Sequence, residues 1–336
     1  MSAVVTGDVV VSASGLQSIG SPSLWGLTIA AVILLLAMDF LITRNPHRVS
    51  MREAVGWSIF YIALPLAFGV YIWFAYGSTQ GVEYLTGYLV EKSLSVDNLF
   101  VFMLLLSAFA VPVELQQRVL LYGIVGALVL RGVFIAVGAA ALSAFDWAFL
   151  LFGAILLVTA VKIFKDALAG GEQTTEVSDM RSVRLLQRLM PVTDDYRGAR
   201  LLVRDEGRRA LTPMALVVVA IFGTDVVFAI DSIPAVYGIT EDPYLVFVTN
   251  AAALLGLRAL YFVLQGAVRN LPHLNYGLAF ILAFIGVKLA LHWAHDQWPV
   301  VPEIPTLASL GVIVGTLATV TLTSFYATRR SAQRVG

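Results

Sequence analysis

Four carboxylates stand inside apolar stretches of this chain. Glu91 and Asp97 lie in GYLVEKSLSVDNLFVF, and Asp225 and Asp231 lie in TDVVFAIDSIPAVYGIT. Carboxylates are hard oxygen donors that suit Mg2+, Ca2+ and Mn2+ better than copper or zinc, which look for thiolate or imidazole. Asn98, Thr224 and Ser232 adjoin these acids, Asn250 sits in a later apolar stretch, and all four could add neutral oxygens. Four bases share the same setting: Arg131, Arg258, Lys162 and Lys288. Charges inside a bilayer are expensive, so some pairing of acids with bases is required, and an acidic pair left over is a candidate ion site. Arg131 and Arg258 read as structural partners that hold the acids and set their protonation. Lys162 and Lys288 lie nearer helix ends, where a long side chain can snorkel. The chain has no cysteine, which excludes disulfides, zinc-thiolate sites, iron–sulfur clusters and thiol chemistry. No phosphate-binding glycine loop and no nucleophile–base constellation is visible, so no enzyme is expected. His292, His295 and Asp296 have helical spacing beside Trp293 and Trp298, which reads as an interfacial belt. Asp39, at the end of the first apolar run, reads as interfacial too.

The elements that must carry these residues follow from composition. Of 336 residues, 59% are hydrophobic and 13% charged, against about a quarter charged in soluble domains. That excludes a disordered chain and a nucleic-acid binder and makes lipid the expected solvent. Nine spans are predicted, at about 24–42, 55–76, 84–110, 119–142, 147–168, 213–236, 244–268, 274–293 and 307–327. The organisation is an external segment at 1–23, spans one to five within 24–168, a charged cytoplasmic loop at 169–210 with a helix-like stretch at 180–189, spans six to nine within 211–327, and a tail at 328–336. The loop reads as a solvated linker. Of the 22 Lys and Arg, five lie inside spans, and the other seventeen all fall on one set of alternating loops and the C-terminal tail. The positive-inside rule then puts the N-terminus outside and the C-terminus in the cytoplasm. No base precedes Arg44, so the first helix is expected to be retained rather than cleaved as a signal.

Spans three to five resemble spans six to eight. Asp97, Arg131 and Lys162 recur in order as Asp225, Arg258 and Lys288, at intervals that agree within a residue. Three helices are an odd number, so the second set must run upside down, as in the inverted repeats of many secondary transporters. Inversion places Asp97 and Asp225 near mid-membrane, with Glu91 and Asp231 in a second layer on the external side. Residues six apart on a straight helix point about 120° away from one another. Both acids of one helix can therefore serve a single pathway only if that helix is bent or unwound, for which Ser93, Ser95 and Pro234 offer means.

Residues 87–102, 118–138, 224–240 and 254–264 resemble the TerC/Alx family of integral membrane proteins, known as tellurite-resistance-type and manganese-exporting proteins. The resemblance covers about residues 24–293. It implies an inner-membrane metal transporter, mainly for Mn2+ efflux, with the ion site on Glu91, Asp97, Asp225 and Asp231. Many members have a Glu three residues before the first Asp of the second motif; here that position is Phe222. The resulting expectation is an all-α polytopic bundle in a bacterial inner membrane that moves a divalent cation, most readily Mn2+, out of the cytoplasm in exchange for protons. Lipid, the ion and protons are its partners, with no tightly bound cofactor and no nucleic acid. The alternatives are a membrane scaffold or metal-maturation factor without net transport, and a role in tellurite or other oxyanion resistance. Arg131 and Arg258 could attract an anion, but two acidic layers would repel it.

Overall fold

Helix ends in this chain are set by residues that cap or interrupt. Ser21 and Pro22 start the first helix, the Ser21 hydroxyl accepting from Leu24 N. Ser50 does the same for the second, and Asp242 with Pro243 for the seventh. Gly77, at φ +110°, separates the second and third helices with only one residue between them. Ala110 takes a left-handed φ of 49° in the turn after the third.

The computed structural model describes residues 10–11, 17–43, 48–145, 147–168, 190–193, 195–205, 208–267, 273–298 and 300–335. Its helices are α1 (Pro22–Ile42), α2 (Met51–Tyr76), α3 (Ser78–Ala108), α4 (Val113–Ala144), α5 (Ala148–Leu168), α6 (Pro213–Tyr237), α7 (Pro243–Leu255), α8 (Leu257–Ala267), α9 (Leu274–Gln297) and α10 (Thr306–Val335). Helices α7 and α8 are one span interrupted at Gly256, so the described residues form nine spans in an all-α membrane protein. Eight are long and apolar enough to cross a bilayer. The exception is α3, long enough at 31 residues but loaded with Glu83, Glu91, Lys92 and Asp97. Large apolar side chains such as Leu34, Phe74, Val129 and Val158 are exposed around the outside, the surface that lipid would cover.

The interior is built from close crossings. Helix α5 lies against α9, where a Cβ on Gly153 would come within 2.9 Å of the Gly286 carbonyl. Such backbone approach is how helices associate without a hydrophobic driving force. Helix α4 meets α6 through a side chain instead, with Gly126 under the ring of Phe222. Thus Phe222, where the family resemblance leads one to expect an acid, is a packing residue here. Helices α3, α4, α6 and α7 surround a polar centre.

Part of the predicted loop is ordered against the bundle. Strands β3 (Leu202–Asp205) and β4 (Arg208–Leu211) form an antiparallel hairpin; a second short hairpin, β1 (Val10–Val11) with β2 (Gln17–Ser18), precedes α1. Tyr196 donates its hydroxyl to the Phe109 carbonyl at 2.8 Å, and Thr212 donates to Arg200 O. A purely solvated linker at 169–210 therefore does not fit its described residues from 190 onward, where Ala210 is buried and Val192 and Leu201 pack on the core. The stretch at 180–189 lies outside the described residues.

Candidate functional site

Arg131 is the hub of the polar centre. It stands in mid-α4, 1% exposed, and contacts both halves of the chain. Its Nη2 and Nε donate to the two oxygens of Asp225 on α6, at 3.1 and 3.3 Å. Its Nη1 donates to Glu91 Oε1 on α3 and to Asn250 Oδ1 on α7, the latter at 2.8 Å. A guanidinium is suited to this because its donors form a rigid planar fork that matches carboxylates. Glu91 and Asp225 are 0% and 1% exposed. One positive charge thus faces two buried negative ones.

Several buried polar atoms on α3 and α6 make no hydrogen bond. They are Glu91 Oε2, Tyr88 OH, Ser95 Oγ and Asn98 Nδ2 on α3, with Ser232 Oγ on α6 facing Glu91. Buried polar atoms in folded proteins nearly always have partners, so those left unpaired along these two neighbouring helices are open to a ligand. Pro234 has no amide hydrogen, which also releases the Ile230 carbonyl from its helical bond. Asp231 is partly buried on α6 and close enough to interact with the charges of Glu91 and Arg131.

The arrangement differs from the two-layer expectation. Glu91 and Asp225, placed in separate layers by sequence, share one guanidinium, because α3 and α6 both run unbroken and Glu91 stands near the middle of α3. The bending expected in α3 or α6 occurs instead in the seventh span, where α7 stops at Leu255 and α8 begins at Leu257. Lys92 reaches this break and donates to the Ala253 carbonyl at 3.3 Å, a cation at a helix C-terminus. The side chain of Asp97 lies outside the described set. Asn250 gives its oxygen to Arg131 and its amide to Val246 O; Thr224 donates its proton to Ala220 O. Among the described residues no three His, Cys, Asp or Glu side chains are arranged to hold a metal.

The counterpart of Arg131 in the repeat behaves differently. Arg258 binds Asp39 through both carboxylate oxygens, at 2.7 and 3.3 Å, and Gln117 at 2.9 Å. Asp39 is buried, not interfacial as its position at the end of the first span suggested. Nothing in its local sequence marks it; only the packing of α1 against the eighth helix's Arg258 does. Lys162 is exposed on α5, whereas Lys288 turns into a cleft at the end of the bundle.

That cleft has a volume of about 840 Å3 and is lined by Glu83, Glu241, Asp242, Glu303, Lys288 and His292 among others. His292 contacts Glu241 and Glu303 at 3.0 Å each, and Thr240 donates to Glu83 at 2.7 Å. His295 contacts the Val301 carbonyl, and the rings of Trp293 and Trp298 pack edge to face. The side chain of Asp296 is outside the described set. Asp242 accepts from Ser18 Oγ, Ile19 N and Tyr244 N, tying the segment before α1 to the α6–α7 turn. Burial raises its carboxyl above the usual range, and these donors pull it back in part.

Comparison with known proteins bears on this cluster. Residues 76–332, which include Glu91, Arg131, Asp225 and Asn250, match the family described as "Integral membrane protein TerC family". The chain is 40% identical to the Alx protein of Escherichia coli K12, over 96% of this chain and all of that one. It is 42% identical to Alx of Salmonella typhi, over 91% of this chain and 95% of the relative; both carry names that propose a membrane-bound redox modulator. An uncharacterised membrane protein of Myxococcus xanthus is 39% identical over 94% of this chain and 95% of its own length. No solved structure matches. With near-complete coverage by relatives and a bundle whose charged core falls inside the matched region, this chain belongs to the TerC family of integral membrane proteins.

Proposed function

We propose that the protein moves a divalent cation, Mn2+ in the first place, out of the cytoplasm across a bacterial inner membrane, with protons returning on the same carboxylates. The observation that carries this reading is the buried pair Glu91 and Asp225, held together on a single base, Arg131. Two acids against one base leave one negative charge, which a proton balances, and a divalent cation in place of the base balances both acids. A buried excess of that size is costly in low dielectric unless something positive balances it. The atoms on offer, Glu91 Oε2, Ser95 Oγ and Ser232 Oγ, are hard oxygens. Ligands must lose their protons to bind a metal, so metal entry and proton release are linked. The one-sided distribution of loop bases supports an orientation with the N-terminus outside, in which the acidic cleft would open to the exterior as a path for the departing ion.

A redox role, as the relatives' names propose, would need a mechanism without thiols, because the chain has no cysteine. Scaffolding of metal delivery remains a reading of another class, and it predicts no flux through purified protein. The test is reconstitution in liposomes with a Mn2+ gradient. Flux that rises when a proton gradient opposes the metal flow, and that disappears in Asp225→Asn, is expected. Wild-type liposomes no leakier to Mn2+ than empty ones would exclude transport.

A further inference from the structure

We propose that Arg131 is the resident counter-cation of the ion site, which a divalent cation displaces when it binds. The proposal rests on the reading of Glu91 and Asp225 as ion ligands. The guanidinium already lies between these two carboxylates, using Oε1 of Glu91 and both oxygens of Asp225. A metal bridging the same pair needs the same oxygens. Two cations cannot share the spot, because like charges at contact distance repel strongly in a low-dielectric interior.

The comparison with Arg258 separates this role from a structural one. Arg258 faces one carboxylate, takes both its oxygens, and completes its contacts with neutral Gln117; its charge is balanced. Arg131 is shared between two carboxylates, so its single positive charge faces two negative ones. A balanced pair gains nothing by opening. An unbalanced one can exchange its single charge for a double one. Asn250 is the neutral anchor about which the guanidinium can turn, and its own amide is held by Val246 O. The metal and the tethered cation then alternate on one pair of acids, so the site need not stand bare between transport events.

The test compares Mn2+ binding by purified wild type, Arg131→Gln, Arg131→Lys and, as control, Arg258→Lys, read by loss of the free Mn2+ paramagnetic resonance signal and by the Mn2+-induced rise in unfolding midpoint. Removal of the competitor should tighten binding in Arg131→Gln by about tenfold or more, a gain of about 1.4 kcal/mol. Its midpoint should rise more on adding Mn2+ than that of wild type, because tighter binding stabilises more. Arg131→Lys should fall between, since an ammonium cannot fork across two carboxylates. Arg258→Lys should leave affinity within about twofold of wild type, well short of that shift. Binding in Arg131→Gln no tighter than wild type overturns the proposal, and if that variant does not fold, Arg131→Lys decides by the same criterion. A wild-type structure with Mn2+ bound gives an independent reading: Arg131 released from Glu91 or Asp225 supports displacement, and Arg131 still holding both beside the metal overturns it. Absence of Mn2+ binding in wild type and every variant removes the ion-site reading itself, and this proposal with it.

Discussion

At the scale of single residues, two buried arginines of similar sequence context have opposite charge balance, and that predicts opposite mutant phenotypes. Asp225→Asn removes one of two acids on Arg131 and leaves a balanced pair with Glu91. It should reach the membrane at normal level, keep its unfolding midpoint within a few degrees, and lose Mn2+ efflux. Asp39→Asn leaves Arg258 buried without a charge partner, a defect of about 3–5 kcal/mol. Its amount in the membrane should fall, measured by fluorescence-detected size exclusion. Equal loss of protein in both variants would show that the Arg131 cluster is structural. The acids and bases themselves were legible in the sequence, because a charge within an apolar run stands out. Which of them meet was not. That Glu91 reaches the guanidinium together with Asp225 depends on the rotation of α3 about its axis, which no spacing along one chain specifies. Asp39 was misread for a related reason: at a span's end, a buried acid and an interfacial one look alike.

At the scale of elements, the span count was readable from apolar length, and α3 was found despite its charges because residues 84–110 remain a largely apolar run. The position of the helix break was not readable. Serines and a proline mark α3 and α6 as weak points, yet both hold. The Ser93 hydroxyl bonds back to Leu89 O within an intact helix, whereas a glycine at 256 ends α7. Glycine's role also differs from place to place. At Gly286 a Cβ would lie 3.0 Å from the Gly153 carbonyl, a backbone atom that cannot swing aside. Gly286→Val should therefore force α5 and α9 apart and cost about 1–3 kcal/mol or more. The expected readout is a lower unfolding midpoint, with the residual folded protein keeping its Mn2+ affinity, since neither helix supplies a residue to the Arg131 hub. At Gly256 the nearest atom is the flexible end of Lys92, at 2.8 Å, so Gly256→Ala should be tolerated far better. A drop in midpoint as large as that of Gly286→Val would contradict this ranking.

At the scale of the whole molecule, the alternation of spans collects the N-terminal segment, the start of α3, the α6–α7 turn and the end of α9 at the cleft, while Tyr196 and the β3–β4 hairpin close the opposite end. Because the chain has no cysteine, single cysteines report sidedness directly. Val300→Cys, 95% exposed beside the cleft, should react with an impermeant maleimide on intact cells; Leu202→Cys, 54% exposed on the hairpin, should react only after the cells are opened. The reverse pattern would invert the topology and turn the cleft into an entrance from the cytoplasm. The charge load of α3 carries a further meaning for how the protein is made. Glu91 leaves the ribosome 40 residues ahead of Arg131, and Arg131 precedes Asp225 by 94. When α3 first meets the membrane it is the least apolar of the nine spans and has no partner for its acid. Its stable entry into lipid waits for α4, and the finished cluster waits for α6. A nascent chain stalled after α3 should therefore extract from membranes with alkaline carbonate more readily than one stalled after α4, and Arg131→Leu should erase that difference: the residue that holds the two carboxylates in the mature protein is also the one whose arrival lets the third helix stay in the bilayer.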